Sequence, residues 1–185
     1  MNKNATMKRI SLGPVIHLAF VVENLEQAVN GWVQVTGAGP FYVMEDIEMQ
    51  DVYYKGDPVS PDFRMRFAIG YLGEMGIELI QQLTDTPFVY KDLIDKNGGG
   101  WHHIWLNADD YHAEVKRLTS LGGEIAMQGA FNDDSKFCYV DTTAAIGGMV
   151  ELMQIPEPII DALHLMKSAH KEWNRQDPLR AFPEI

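Results

Sequence analysis

The sequence predicts an α+β fold of two similar modules, each ordered strand, helix and then about three strands (βαβββ), with a helix added at the C-terminal end. Three observations carry this. The segment IHLAFVVENLEQAVNGWVQVTG from Ile16 is echoed by HHIWLNADDYHAEVKRLTSLGG from His102. IELIQ from Ile77 is echoed by VELMQ from Val150, in the shared order apolar, Glu, Leu, apolar, Gln. Composition agrees: 46% apolar and 22% charged residues over 185 positions describe a folded chain long enough to bury a core. An internal repeat of this size means two copies of one structural unit.

The first module is expected over residues 15–84, after an N-terminal segment of residues 1–14. Its opening strand is the apolar run at Ile16. Asn24 caps the helix that follows, with Gln27 at capping-box spacing. Leu25, Ala28, Val29 and Trp32 form its apolar face, and Gly37 stops it. MRFAIGYL and IELIQ are the later strands. Residues 85–100 read as a linker: a short helix capped by Thr86, with Pro87 in its first turn, and then a glycine-rich link. The second module covers residues 101–155. Asp110 caps its helix, Tyr111, Val115 and Leu118 mark the apolar face, and Gly122 ends it. KFCYVD and VELMQ are its later strands. In residues 156–185, Ile159, Ile160, Leu163, Met166, Ala169 and Trp173 have helical spacing, and an extended segment with Pro178 and Pro183 follows.

Charge and cysteine usage narrow the function classes. A formal net charge of −11, with 15 basic residues that form no run beyond scattered pairs, disfavours nucleic acid and favours a small-molecule partner. No apolar run reaches the ~18 residues of a membrane span, and the first residues lack the apolar centre of a secretion signal, so the expectation is a cytoplasmic protein. The single cysteine, Cys138, excludes an internal disulfide and reads as a small buried strand residue.

The repeat selects four candidate site residues. His17 lies seven positions before Asn24, and His103 lies seven before Asp110. Strand neighbours point to opposite faces. His103 therefore matches His17, while His102 matches Ile16 and should pack with Ile104 and Leu106 against the helices. Glu78 and Glu151 hold equivalent places in the echoed strands. A lone strand histidine is usually a hydrogen-bonded, half-buried residue, but a glutamate inside an apolar strand needs a compensating charge. Two His and two Glu in matched contexts suit a divalent metal such as Zn, Ni, Co, Mn or Fe(II). Trp105 and Asn107 share the strand face of His103 and are candidates for the substrate pocket, as is the aromatic stretch FYVMEDIEMQDVYYKG. Trp101, Trp32 and Phe41 read equally well as core.

With these residues in place, the chain resembles the vicinal oxygen chelate superfamily, which includes glyoxalase I, methylmalonyl-CoA epimerase, extradiol dioxygenases and bleomycin-resistance proteins. The resemblance spans about residues 15–155, and IELIQQLTDTPFVYKDLIDKNGGGWHHIWL is particularly similar to the epimerases with their GGxHH motif. It implies an open, cupped mixed sheet around a metal bound by His17, Glu78, His103 and Glu151, and a homodimer. It implies metal-stabilised enolate chemistry by an isomerase, epimerase or lyase on a carbonyl or thioester, with Glu151 as a proton-shuttling ligand and Glu78 its partner. Epimerases carry a further glutamate near the place of Asp62, where a surface turn is the competing reading. A ring-cleaving extradiol dioxygenase and a non-catalytic ligand-binding protein are the alternatives the family offers. The C-terminal helix can pack on its own domain, contact a second subunit or cover the cup.

Overall fold

The computed structural model describes residues 12–45, 47–131 and 135–183; most of the N-terminal segment 1–14 lies outside these. The first half contains β1 (Leu12–Val21), α1 (Leu25–Thr36), β2 (Phe41–Met44), β3 (Gln50–Tyr54), β4 (Asp57–Pro58), β5 (Met65–Leu72) and β6 (Met75–Gln82). After α2 (Val89–Asn97) come β7 (Gly100–Ala108), α3 (Tyr111–Ser120), β8 (Glu124–Ala130), β9 (Lys136–Asp141), α4 (Thr143–Ile146) and β10 (Met149–Met153). The chain closes with α5 (Glu157–Glu172) and β11 (Leu179–Ala181). All strands belong to one mixed sheet, ordered β11-β2-β5-β6-β1-β7-β10-β9-β8-β3-β4. Each βαβββ module supplies a four-stranded half, β2-β5-β6-β1 and β7-β10-β9-β8, and the halves join through antiparallel β1 and β7.

Topology forces this sheet to curl. Strands β2 and β3 are eight places apart in the order, which would be roughly 38 Å in a flat sheet at ~4.8 Å per strand. Only residues 45–49 connect them, and a trans chain advances at most ~3.8 Å per residue, about 23 Å in all. The edges must therefore approach each other, and the sheet forms a cup. The β3–β4 hairpin, turning at Lys55 (φ 52°) and Gly56 (φ 89°), takes up the long DVYYKGDPVS stretch and pairs with β8 of the other module.

Period-two alternation sorts the side chains between the two faces. On the convex face, Leu25 and Val29 of α1 pack on Ile77 and Leu79 of β6. Leu118 of α3 packs there on Cys138, Val140, Val150 and Leu152. Phe41 and Trp32 belong to the α1 layer, so their core reading holds. The intervening residues Ala19, Ile80, Phe137, Tyr139 and Met153 line the concave face. Cys138 is fully buried, and burial raises its thiol to about 11.

Several caps form as the sequence implies. Asn24 Oδ1 accepts from Gln27 N at 2.8 Å, and Asp110 Oδ1 from Ala113 N at 3.0 Å. The linker helix differs from expectation: it begins at Val89, with no cap from Thr86. The reason is Gln82 at the end of β6. Its Nε2 donates to the Thr86 carbonyl at 2.6 Å, and its Oε1 accepts from Lys91 N at 3.1 Å. Phe88 can then bury its ring against Phe63, centroids 4.1 Å apart. At the other end, α5 lies against β5 and its own sheet, burying Ala162, Leu163 and Met166. His170, which its helical pattern assigns to the surface, instead bonds the backbone twice. Its Nδ1 donates to Gly39 O at 2.5 Å and its Nε2 accepts from Gly73 N at 3.1 Å.

Gly76 pairs directly with His17 across β6 and β1, and a Cβ there would sit 2.5 Å from the Ile16 carbonyl oxygen. Backbone cannot give way cheaply at that distance. Gly76→Ala is expected to destabilise the protein by about 1–3 kcal/mol, read as a lower urea midpoint with unchanged slope. An unaltered midpoint would mean that β1 and β6 do not approach this closely.

Candidate metal centre

The four candidate residues lie on the four central strands: Glu78 on β6, His17 on β1, His103 on β7 and Glu151 on β10. The register is the same in both modules. Parallel β1 and β6 set Gly76 opposite His17 and Glu78 opposite Ala19, two residues further on. Parallel β7 and β10 set Met149 opposite His103 and Glu151 opposite Trp105, again two further on. Because Ile77, Leu79, Val150 and Leu152 face the helices, Glu78 and Glu151 must face the cup. All four groups therefore meet within one chain.

Their polar atoms converge. His17 Nε2 lies 3.3 Å from His103 Nε2, 3.3 Å from Glu78 Oε2 and 3.6 Å from Glu151 Oε2. His103 Nε2 lies 3.1 Å from Glu151 Oε2 and 3.6 Å from Glu78 Oε2. Ligands held ~2.0–2.1 Å from a tetrahedral cation stand about 3.3–3.4 Å apart, and the separations among His17, His103 and Glu151, 3.1–3.6 Å, bracket that value. His17, His103 and Glu151 offer atoms all within 4.8 Å of one another. Glu78 reaches both imidazoles but falls outside that set, so its carboxylate stands away from that of Glu151. The two carboxylates flank the imidazole pair.

The electrostatics are those of buried, competing charges. Exposure is 3% at His17, 6% at Glu78, 0% at His103 and 7% at Glu151. Burial alone would raise Glu151, but its bonds to His103 and His17 outweigh this and hold it down to about 2. Burial dominates at Glu78 and raises it; the imidazoles pull it down and Glu151 pushes it up. At His17 burial works downward, yet Glu78 and Glu151 prevail and raise the imidazole. Two nitrogens and the Glu151 carboxylate converging, with Glu78 beside the imidazoles and no lysine or arginine among their partners in the described residues, fit a divalent cation.

His102 departs from the predicted alternation. The register slips between Ala19↔His103 and Phe20↔Trp101, leaving His102 as the extra residue of a β-bulge. The bulge turns its ring away from Ile104 and Leu106 and toward Tyr90 and Tyr139, at centroid distances of 5.2 and 5.6 Å. Its Nδ1 lies 2.8 Å from Nδ1 of His103. Burial, then the neighbouring His103, lower its pKa well below the usual imidazole value, so His102 is neutral and can accept the Nδ1–H of His103. Such a bond would fix the orientation of the His103 ring if its Nε2 ligates a metal, the support a ligating imidazole needs. Strict alternation hid this role; the HH doublet behind three glycines was its only signal.

A cavity of about 410 Å³ opens beside the four residues. Trp105 lines it, its ring 4.9 Å from that of His17. Tyr90 and Tyr139, neither singled out by sequence reading, also line it and share a 2.8 Å hydroxyl contact, with Tyr139 stacked 4.6 Å from His103. Met44, Ile47 and Met49 show that the aromatic-rich stretch after Pro40 does reach the cavity. Trp101 instead packs on Gly148. Asn107 is half-buried and is not part of the wall. Asp62 is exposed on a turn, its N–H bonded to Ser60 Oγ at 3.2 Å, and does not reach the cavity. Turn formation at Ser60–Pro61 places it before β5 begins.

Comparison with known proteins came to the following. Residues 16–139 match the family model described as glyoxalase/bleomycin resistance protein/dioxygenase superfamily. Methylmalonyl-CoA epimerase from Mycobacterium tuberculosis superposes with a TM-score of 0.59 at 19% identity, covering 85% of this chain and 98% of that one. Hypothetical protein BH1468 from Bacillus halodurans C-125 gives 0.53 at 18% identity, over 78% and 95% of the two chains. Streptomyces coelicolor methylmalonyl-CoA epimerase in complex with 2-nitronate-propionyl-CoA gives 0.50 at 18% identity, over 77% and 97%. These structures share the fold. The potassium-transporting ATPase ATP-binding subunit of Caldanaerobacter subterraneus subsp. tengcongensis is 26% identical over 146 residues, 73% of this chain but 21% of that protein. The chain thus spans about a fifth of that curated relative's length.

If His102 orients His103, His102→Ala should weaken divalent-metal binding roughly 10–100-fold while the circular dichroism spectrum stays native. Calorimetric titration with Zn(II) or Mn(II) measures this, and an unchanged affinity would remove His102 from the account.

Proposed function

This chain belongs to the glyoxalase/bleomycin resistance protein/dioxygenase superfamily, and we propose that it is a divalent-metal-dependent isomerase, epimerase or lyase acting at the carbon beside a carbonyl or thioester. The supporting observation is the pair of buried carboxylates on opposite sides of the imidazole pair, at the wall of a cavity of about 410 Å³. His17, His103 and Glu151 would hold the cation, with Glu78 within reach of both imidazoles. The cation would supply Lewis-acid stabilisation of negative charge developing on a substrate oxygen.

The side chains provide the rest. One carboxylate takes the proton from the carbon next to the carbonyl, and a proton returns to that carbon or its neighbour. Return to the same carbon from the opposite face inverts it; return to the neighbour isomerises the compound. Nothing is oxidised or reduced. Glu78, raised by burial, is suited to carry a proton, while Glu151, held low by both imidazoles, is suited to stay ionised. The apolar wall keeps water from competing for the transferred proton. A cytoplasmic homodimer belongs to the same proposal, although the four groups need no second chain.

A second reading has one observation in its favour. Among the described residues, His17, His103 and Glu151 form the mutually close set, and two His with one carboxylate is the ligand pattern of Fe(II) enzymes that use oxygen. Glu78 beside both imidazoles weighs against it, because its carboxylate occupies space that a catechol and oxygen would need.

Protein purified without chelator should carry stoichiometric divalent metal by elemental analysis, and His103→Ala should lose it. Solvent deuterium incorporation, followed by NMR on hemithioacetals, acyl thioesters and neutral hydroxyketones, should depend on the metal. It should fall roughly 100-fold or more in Glu78→Gln and Glu151→Gln. Oxygen uptake with a catechol, and no exchange with any carbonyl compound, would transfer the assignment to the dioxygenase reading.

A further inference from the structure

The cavity specifies more about its ligand than the four polar residues do. Its wall is strongly apolar and rich in methionine, including Met44, Met49, Met65, Met127 and Met153. Unbranched thioether side chains fill irregular gaps and adapt to bulky apolar shapes. From the C-terminal region, Ile159 and Leu163 of α5 and Phe182 after β11 complete it, so the segment beyond the repeat is part of the binding site.

Charge is as telling as apolarity. Among the described residues, no lysine or arginine lines this cavity, whereas Glu78 and Glu151 do. A ligand carboxylate or phosphate placed along the apolar wall would lose water and find no lysine or arginine, and at the cluster the charge of a bound cation would already be balanced by the two glutamates, an arrangement that costs heavily. The donors present are neutral. Trp105 Nε1 and Ser135 Oγ are buried without a hydrogen-bond partner, and both residues belong to the wall. Exposure is 4% at Trp105 and 1% at Ser135. Tyr90 and Tyr139 share a single hydroxyl contact; one O–H donates to the other, and the second hydrogen remains free for a ligand or water. Buried donors without acceptors are uncommon in native proteins and call for an explanation.

We propose that the substrate is a neutral, mostly apolar molecule whose acceptor atoms are met by Trp105 Nε1 and the tyrosine pair, and that anionic thioesters such as acyl-CoA are excluded. That this molecule is the substrate of a reaction rests on the metal-dependent reading above; its neutral, apolar character rests on the cavity wall alone. The site thus diverges from that of the methylmalonyl-CoA epimerases whose fold it shares.

Charge-matched probes test this. Benzil is a neutral aromatic 1,2-diketone, and 4-carboxybenzil has the same shape with one negative charge. Their affinities, and that of methylmalonyl-CoA, are measured by equilibrium dialysis against metal-loaded and chelator-stripped protein. Benzil should bind roughly tenfold or more tightly than 4-carboxybenzil, and methylmalonyl-CoA should not compete with it. Trp105→Phe keeps an aromatic ring, loses the donor, and should weaken benzil about fivefold. Equal or tighter binding of either anion, or no binding of benzil to either form, overturns the proposal; an unchanged affinity in Trp105→Phe overturns the donor assignment. Metal content is measured separately. Metal-free protein that still prefers benzil sinks the metalloenzyme reading and keeps this one, whereas metal-replete protein that prefers the anion does the reverse.

Discussion

Two glutamates buried against two histidines at the centre of the sheet are the constraint on which the structure turns. A carboxylate inside a protein is tolerated only with a compensating charge. Here two of them lie within 3.1–3.6 Å of the same imidazole nitrogens. No basic side chain reaches them among the described residues, and the imidazoles can supply positive charge only by taking up protons. A divalent cation held by His17, His103 and Glu151, with Glu78 beside them, would supply that charge. The fold brings them there by a repeated rule, with glutamate two residues beyond the register partner of histidine in each module.

Curvature of the sheet follows from the same architecture. Five connecting residues between strands eight places apart allow no flat solution. Curling turns one face of every strand inward, so the period-two pattern that hides Ile77 and Leu79 beneath α1 presents Glu78 to the cup. The site and the cavity are thus consequences of one backbone geometry, and the apolar wall around them intensifies every charge they contain. The same wall, extended by α5 and Phe182, turns a broadly shared fold into a site with its own ligand preference.

Much of this was legible in the sequence because duplication writes the same physical requirement twice. His17 and His103, Glu78 and Glu151, Asn24 and Asp110 each appear in matched surroundings, and the structure places each pair equivalently. What escaped reading depended on departures from regularity or on long-range contacts. His102 was misplaced because a bulge breaks alternation where none could be inferred. Thr86 lost its capping role to Gln82, the last residue of β6, whose side chain folds back on the linker. Tyr90 and Tyr139 meet only once α2 and β9 are folded together, and nothing local marks them. Asp62 and Asn107, chosen by analogy or by alternation alone, do not line the cavity. The β3–β4 hairpin carried no local marker, since its partner β8 lies in the other module.

The central claim is that one cation sits among His17, Glu78, His103 and Glu151. Anomalous diffraction from crystals grown with Co(II) or Mn(II) tests it most directly. The account predicts a single strong peak between Nε2 of His17 and Nε2 of His103, within bonding distance of the Glu151 carboxylate, that disappears in His103→Ala. No peak at this position under saturating metal, with the imidazoles and carboxylates still paired to one another, would contradict it.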